Sequence, residues 1–188
     1  MPVSALPAPT ALAATFSPEL ARRYGQVLAR EGKVLQQETP LVLVADIVRV
    51  PQSGRNSEAL GEDPLLASTM VSQAIQGIRS EGGKAAVKHF AGSTFEQDRQ
   101  AVDVIIEERT LREIYLPPFQ AAVKAGAGTV ISSPNQLNGI SASENPFLID
   151  TILRKEWGFT GFVGKTSPPA PSPGRSFLTE RGGASNSA

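Results

Sequence analysis

A lysine and a histidine stand side by side at the end of a short apolar run. Lys88 and His89 follow residues 85–87, and His89 is the single histidine of the chain. An ammonium group and a neutral imidazole at a strand end can hold neighbouring hydroxyl groups of a polar ligand. A solvated lysine beside a hydrogen-bonded loop histidine explains the composition equally well. The pair thus indicates a polar-ligand site, with a structural role as the alternative.

Two arginines extend this candidate site. Arg55 lies in a polar loop before Asp63-Pro64, where Asp63 is already explained as the N-cap of a helix. A cap does not need Arg55, and a guanidinium in such a loop can hold a carboxylate or sugar hydroxyls. Arg99 follows the Lys-His pair, and taken alone it would be a surface charge.

Composition excludes several classes of protein. The chain has 188 residues with 18 basic and 18 acidic side chains, so it has no charge excess for nucleic acid or an anionic membrane. It has no cysteine, which excludes disulfides and argues against a zinc site. The first cation is Arg22 and prolines interrupt the residues before it, so we expect no signal peptide. No run approaches a transmembrane span, and the location stays open.

The elements that must position these residues alternate between strands and helices. Apolar runs predict strands at 41–45, 85–87, 129–131 and 161–163. Helices are predicted from Pro18 to a stop at Gly32, from Pro64 to Gly82, over 110–125 with a break at Pro117, and from Pro146 to Trp157. This alternation is typical of an α/β fold with a parallel sheet, in which ligands bind at the carboxyl ends of the strands.

A change in composition divides the chain at Val163. Residues 164–188 contain four Pro, five Ser and four Gly. Such a segment buries too little apolar surface to offset the entropy of ordering it. We therefore expect one domain over residues 1–163 and a disordered Pro/Ser/Gly-rich tail over 164–188.

Several stretches, in this order, resemble the N-terminal barrel domain of family-3 glycoside hydrolases, of the β-glucosidase and β-xylosidase type. They cover most of residues 10–163, and the runs 108–119 and 156–163 are the most specific. The matching stretches are 12–16 with 18–21, Gly54-Arg55-Asn56 with Glu58, Glu62-Asp63-Pro64, Val87-Lys88-His89-Phe90, 108–119, Asn135 with Asn138-Gly139, and Leu153-Arg154 with 156–159 and 161–163.

The resemblance implies an α/β fold in which residues 1–163 form part of a (β/α)₈ TIM-type barrel with mostly parallel strands. It implies that Arg55, Lys88, His89 and Arg99 bind the hydroxyls of a terminal sugar. The implied reaction is retaining hydrolysis of terminal non-reducing β-D-glycosidic bonds, with an Asp nucleophile and a Glu acid/base. The implied partner is a β-linked saccharide or glycoside, and no cofactor or metal is expected.

The sequence departs from the family at the catalytic strand. The family has an Asp just after Gly-Phe-Val, whereas Gly164-Lys165 follows here and no Asp occurs after Asp150. Asp46 is expected to orient a loop, and Asp150 lies in a predicted helix. We therefore assign no catalytic residue and expect an inactive, truncated or frame-shifted domain. The alternatives are a non-catalytic sugar-binding fragment and, far behind it, an unrelated binding module. An open barrel would also self-associate.

Overall fold

The computed structural model describes residues 4–36, 41–93 and 95–165. The predicted tail over 164–188 begins too early, because Gly164 and Lys165 belong to a strand. The rest of the predicted tail, from residue 166, lies outside the described residues. Within the described part, no helix combines the length and the apolar character needed to cross a bilayer.

Seven strands and several helical segments make up the described chain. The strands are β1 Leu41–Val44, β2 Ala86–Phe90, β3 Asp103–Val104, β4 Thr129–Ser132, β5 Gln136–Leu137, β6 Ile140–Ser141 and β7 Phe162–Lys165. The α-helices are α1 Pro9–Ala13, α2 Pro18–Val34, α3 Pro64–Ser80, α4 Glu108–Thr110 and α5 Pro117–Lys124. A 3₁₀ turn spans Asn56–Glu58, and wider π-helical turns span Leu111–Tyr115 and Phe147–Glu156.

Four of the strands form one parallel sheet in the order β1-β2-β4-β7. Residues between the strands return the chain through α3, through α4 and α5, and through the segment Phe147–Glu156, as a parallel sheet requires. The prediction of an α/β fold with a parallel sheet is confirmed. The described strands form an open row, so barrel closure is not seen among them.

A second, small sheet was absent from the sequence prediction. It contains β3, β5 and β6, each of two residues, with β5 and β6 antiparallel. Asn138 and Gly139 join them with φ of 51° and 83°, the left-handed pair that a tight hairpin turn requires. The Asn138-Gly139 motif therefore has a structural explanation.

The predicted helix starts at Pro18 and Pro64 are confirmed, whereas the predicted end at Gly32 is wrong. The Ser17 and Asp63 side chains accept hydrogen bonds from the backbone N–H of Leu20 and Leu66, respectively. The predicted stop at Gly32 is wrong, because α2 continues through this buried glycine to Val34. The lower helix propensity of glycine costs little, and the packing of the helix outweighs this cost.

Helices α2 and α3 lie in close contact at two glycines. A Cβ added to Gly25 would collide with the carbonyl of Ala74, and one added to Gly77 would collide with the carbonyl of Arg22. Two backbones can approach this closely only where side chains are missing.

An aromatic cluster packs against strand β2. Phe90 of this strand contacts Phe119 and Trp157 edge-on, with ring centroids 5.4 and 5.8 Å away.

Candidate functional site

Strand β2 carries the Lys-His pair within its own length. The strand continues through Phe90, so the prediction that Lys88 and His89 follow it is wrong. Parallel pairing with β1 on one side and β4 on the other explains the extension. Lys88 is half-buried and His89 is buried. Both residues still lie toward the carboxyl end of the sheet, where ligands of α/β folds bind.

Asp46, just beyond β1, fixes His89. Its Oδ2 accepts a hydrogen bond from the His89 backbone N–H at 3.1 Å and lies 2.9 Å from His89 Nδ1. Burial raises the pKa of the Asp46 carboxyl, and the contacts with His89 partly offset that rise. A proton on Nδ1 shared with this carboxylate leaves Nε2 to accept a hydrogen bond from another group. We expected Asp46 to orient a loop, and it instead contacts the neighbouring strand.

Arg55 is held by a carboxylate in its own loop. Its Nε and Nη2 donate to the two carboxylate oxygens of Glu58 at 2.8 and 2.7 Å. This bidentate pairing lowers the pKa of Glu58 despite partial burial, and the charge of Lys88 acts in the same direction. The pairing raises the pKa of Arg55. Glu58 therefore forms an electrostatic cluster with Arg55 and Lys88.

Arg99 joins this cluster through a second carboxylate. Arg99 Nη1 donates to Glu96 Oε2 at 3.2 Å, and Arg55 Nη1 lies 3.5 Å from Glu96 Oε1. All three side chains keep between 23 and 28% of their surface exposed. The structure thus brings Arg55 and Arg99 together, although 43 residues separate them in the sequence.

A small cavity opens beside these side chains. Its walls include Asp46, Arg55, Glu58, His89 and Ser93. The cavity is open to solvent, and the space in it that admits the centre of a water molecule is about 20 Å³. Lys88 and Arg99 lie outside its walls. A ligand at this cavity would contact the charged side chains of its walls.

The charges around the cavity are nearly balanced. Arg49, Arg55, Lys88 and Arg99 carry positive charge, whereas the carboxylates come from Asp46, Glu58 and Glu96. Such a cluster offers both donors and acceptors without a strong net charge, which suits a neutral polyhydroxylated ligand. Among residues 4–36, 41–93 and 95–165, no group of three or more His, Cys, Asp or Glu side chains could hold a metal ion.

Three site residues were not identified as such from the sequence: Asp46 as a partner of His89, and Glu58 and Glu96 as partners of the arginines. Glu58 lies three positions after Arg55, and Glu96 lies three positions before Arg99. Opposite charges at this spacing are a recognisable signal for a local ion pair. The contact between Arg55 and Glu96 has no such signal, because it depends on the tertiary fold.

A different ion-pair cluster joins the two most specific sequence runs. Arg112 Nη1 and Nη2 donate to Glu156 at 2.8 and 2.9 Å, and its Nε donates to Glu108 at 2.8 Å. The guanidinium also lies 5.5 Å from the ring centre of Phe147. The Asp150 side chain lies on an exposed face of the segment Phe147–Glu156.

Comparison with known proteins places these features in context. Residues 2–165 match the family model described as the glycosyl hydrolase family 3 N terminal domain. A beta-glucosidase of Rhizobium radiobacter is 45% identical over 158 residues, covering 84% of this chain and 19% of the relative. Thermostable beta-glucosidase B of Acetivibrio thermocellus is 41% identical over 167 residues, covering 87% of this chain and 22% of the relative.

Solved structures show the same similarity. A beta-glucosidase from Streptomyces venezuelae in complex with D-glucose has a TM-score of 0.85 and 41% identity, covering 88% of this chain and 21% of that protein. Beta-glucosidase 3B from Thermotoga neapolitana in complex with glucose has a TM-score of 0.85 and 40% identity, covering 87% of this chain and 23% of that protein. The chain thus spans about a fifth of the length of these relatives.

Proposed function

Because residues 2–165 match the N-terminal domain of glycosyl hydrolase family 3, this chain belongs to that family, and we propose that it forms the sugar-binding part of a β-glucosidase-type hydrolase. In this proposal it binds the terminal non-reducing sugar of a β-linked saccharide or glycoside. Arg55, Lys88, His89 and Arg99 contact the hydroxyls of that sugar. Two related beta-glucosidases in complex with glucose support this choice of ligand.

The single observation that carries the proposal is the convergence of the four side chains. Arg55 and His89 line the same cavity, Arg99 meets Arg55 at Glu96, and the charge of Lys88 acts on the Glu58 carboxylate. Residues of β2 and of the loops that follow β1 and β2 therefore lie near one cavity. Sugar hydroxyls need donors and acceptors close together, because each hydroxyl both donates and accepts.

The proposed binding mode assigns a different task to each group. The guanidinium and ammonium groups donate to hydroxyl oxygens, and charge-assisted bonds of this kind are about twice as strong as neutral ones. His89 Nε2 accepts a hydrogen bond from a sugar hydroxyl, because Asp46 engages Nδ1. The sugar ring lies against the open side of the cavity, where these groups can reach its hydroxyls.

Hydrolysis by these 188 residues alone is not part of the proposal. A retaining mechanism needs a carboxylate that attacks the anomeric carbon and a second one about 5–5.5 Å away. Asp46 is hydrogen-bonded to His89, and Asp150 lies on an exposed helical face. Binding groups without a nucleophile stabilise the ground state and the transition state alike, so they give no turnover.

A paired binding and turnover assay tests the proposal. We expect the 188-residue chain to bind D-glucose in ligand-observed NMR titrations and to release no nitrophenol from nitrophenyl β-D-glucopyranoside. Absence of glucose binding would refute the sugar-binding role. Turnover that disappears in Asp46→Ala or Asp150→Ala would refute the assignment of the chain as non-hydrolytic and would identify its nucleophile.

A further inference from the structure

Glu96 occupies the position between the two arginines of the site. Its Oε1 lies 3.5 Å from Arg55 Nη1, and its Oε2 accepts a hydrogen bond from Arg99 Nη1 at 3.2 Å. The two arginines come from different loops, one after β1 and one after β2. Glu96 therefore links two segments that approach each other only in the folded chain.

Electrostatics make this position important. Two guanidinium groups within reach of one carboxylate repel each other, and the repulsion grows as burial lowers the local dielectric. Glu96 is 23% exposed and both arginines are below 30%, so solvent screens this repulsion only in part. A carboxylate between the two cations turns a repulsive pair into an attractive triad.

The hydrogen-bond pattern also limits how Arg55 can turn. Glu58 engages Nε and Nη2, while Glu96 faces Nη1. A guanidinium has five N–H donors in one plane. Carboxylates at two edges of the guanidinium fix its orientation and leave the remaining N–H donors of Nη1 and Nη2 for a ligand.

We propose that Glu96 is a positioning residue that holds Arg55 and Arg99 in the orientation in which both donate to the same sugar. The effect on binding rests on the proposed function, whereas the bridge itself does not. Glu96 acts through the two arginines, since each of its carboxylate oxygens faces one of them. Loss of its charge releases Arg99 from Glu96 and leaves Arg55 held by Glu58.

The test compares three glutamate-to-glutamine substitutions in the 188-residue chain. Glu96→Gln removes the bridge, Glu58→Gln removes the other partner of Arg55, and Glu113→Gln is a matched control. Glu113 pairs with Arg109 on an exposed helical surface, with side-chain exposures of 58 and 84%. The readouts are the Nε–H NMR signals of the arginines and the affinity for D-glucose.

We expect Glu96→Gln to shift the signals of both Arg55 and Arg99, and Glu58→Gln to shift mainly that of Arg55. Glu96→Gln should weaken glucose binding about tenfold, the effect of one ordinary charge-assisted hydrogen bond. Glu96→Asp, which keeps the charge, should recover part of this loss. Glu113→Gln should change neither the two signals nor the affinity.

The outcomes separate the two proposals. Unchanged Arg55 and Arg99 signals in Glu96→Gln, with glucose binding as tight as in the unsubstituted chain, would refute the positioning role. If Glu96→Gln shifts both arginine signals and the unsubstituted chain binds no glucose, the bridge is supported and the proposed function is refuted. A shift in the Arg99 signal alone would also refute the bridge, because Glu96 would then have one partner.

Discussion

The two edges of the four-stranded sheet differ sharply. At the β1 edge, the chain after the strand folds back so that Ala59 forms a parallel bridge with Val44, and this loop carries Arg55 and Glu58. At the other edge, β7 pairs with β4, and within the described residues no strand pairs with its outer side. Phe162 on β7 is 70% exposed.

At the β1 edge a loop of the same chain pairs with the strand, whereas at the β7 edge no described segment does. The β1 edge uses its own loop to cover backbone groups and to assemble a charged site. The β7 edge presents unpaired backbone groups and an aromatic side chain, a combination that promotes association between chains. We therefore expect ligand binding to depend on the first edge and self-association to depend on the second.

The largest expected effect concerns the β1 edge. Arg55→Ala removes the guanidinium and leaves Glu58 and Glu96 without this partner. We expect glucose affinity to fall about thirtyfold or more, corresponding to about 2 kcal/mol. Ligand-observed NMR titration measures the change.

Arg112→Ala is the matched control for this substitution. Arg112 also lies between two glutamates, Glu108 and Glu156, but it lies outside the walls of the cavity. Its loss should lower the melting temperature and leave glucose affinity within about twofold of the original value. Equal losses of affinity in both variants would mean that Arg55 acts through stability and not through contact.

The next effect concerns the β7 edge. Phe162→Lys places a charge on the exposed edge strand, and lysine on an edge opposes pairing between chains. We expect the dissociation constant for self-association to rise about tenfold or more, the effect of losing one buried aromatic side chain. Sedimentation velocity over a concentration series measures it.

Ile105→Lys provides the comparison for Phe162→Lys. Ile105 is 75% exposed but lies outside the four-stranded sheet. Its substitution should leave association unchanged. A monomeric chain at every concentration, or an equal effect of both substitutions, would contradict the role assigned to the β7 edge.

The smallest effect distinguishes two carboxylates at the β1 edge by the sign of their pH dependence. Arg55 lowers the pKa of Glu58, so its stabilisation is present above the unfolded value and is lost as the pH falls through the folded pKa. Burial raises the pKa of Asp46, so its contribution is present below the unfolded value and is lost as the pH rises through the folded pKa.

Urea unfolding between about pH 3 and pH 7 measures this difference. Glu58→Gln should cost stability near neutral pH, and the cost should shrink in acid. Asp46→Asn should gain stability relative to the original chain as the pH rises. Differences that change in the same direction for both variants would contradict the assigned pKa shifts.

Local patterns predicted the framework of this fold. Apolar runs and the caps at Ser17 and Asp63 gave the main strands and the helix starts, because these features depend on neighbouring residues. Two-residue strands such as β3 have no pattern of their own and form only when the fold brings them together. The extension of β2 through His89 likewise depends on pairing with two other strands.

The sequence analysis named the basic side chains of the candidate site but not the carboxylates that pair with them. Family motifs pointed to Arg55, Lys88, His89 and Arg99, and sugar binding by these residues stays a prediction. Glu58 and Glu96 were not identified as partners of the arginines, because acidic residues near arginines are common on protein surfaces. Glu96 also contacts Arg55, which lies in a distant loop. This contact depends on the folded chain, so the spacing of residues in the sequence cannot predict it.

The bidentate contact between Arg112 and Glu156 bears on how members of this family are detected. It joins the runs 108–119 and 156–163, the two stretches that made the resemblance most specific, and both belong to the supporting framework. A match in these stretches therefore reports common descent of the scaffold. Such a match does not bear on the residues after β7, where the resemblance implies the nucleophile, so those residues have to be inspected separately.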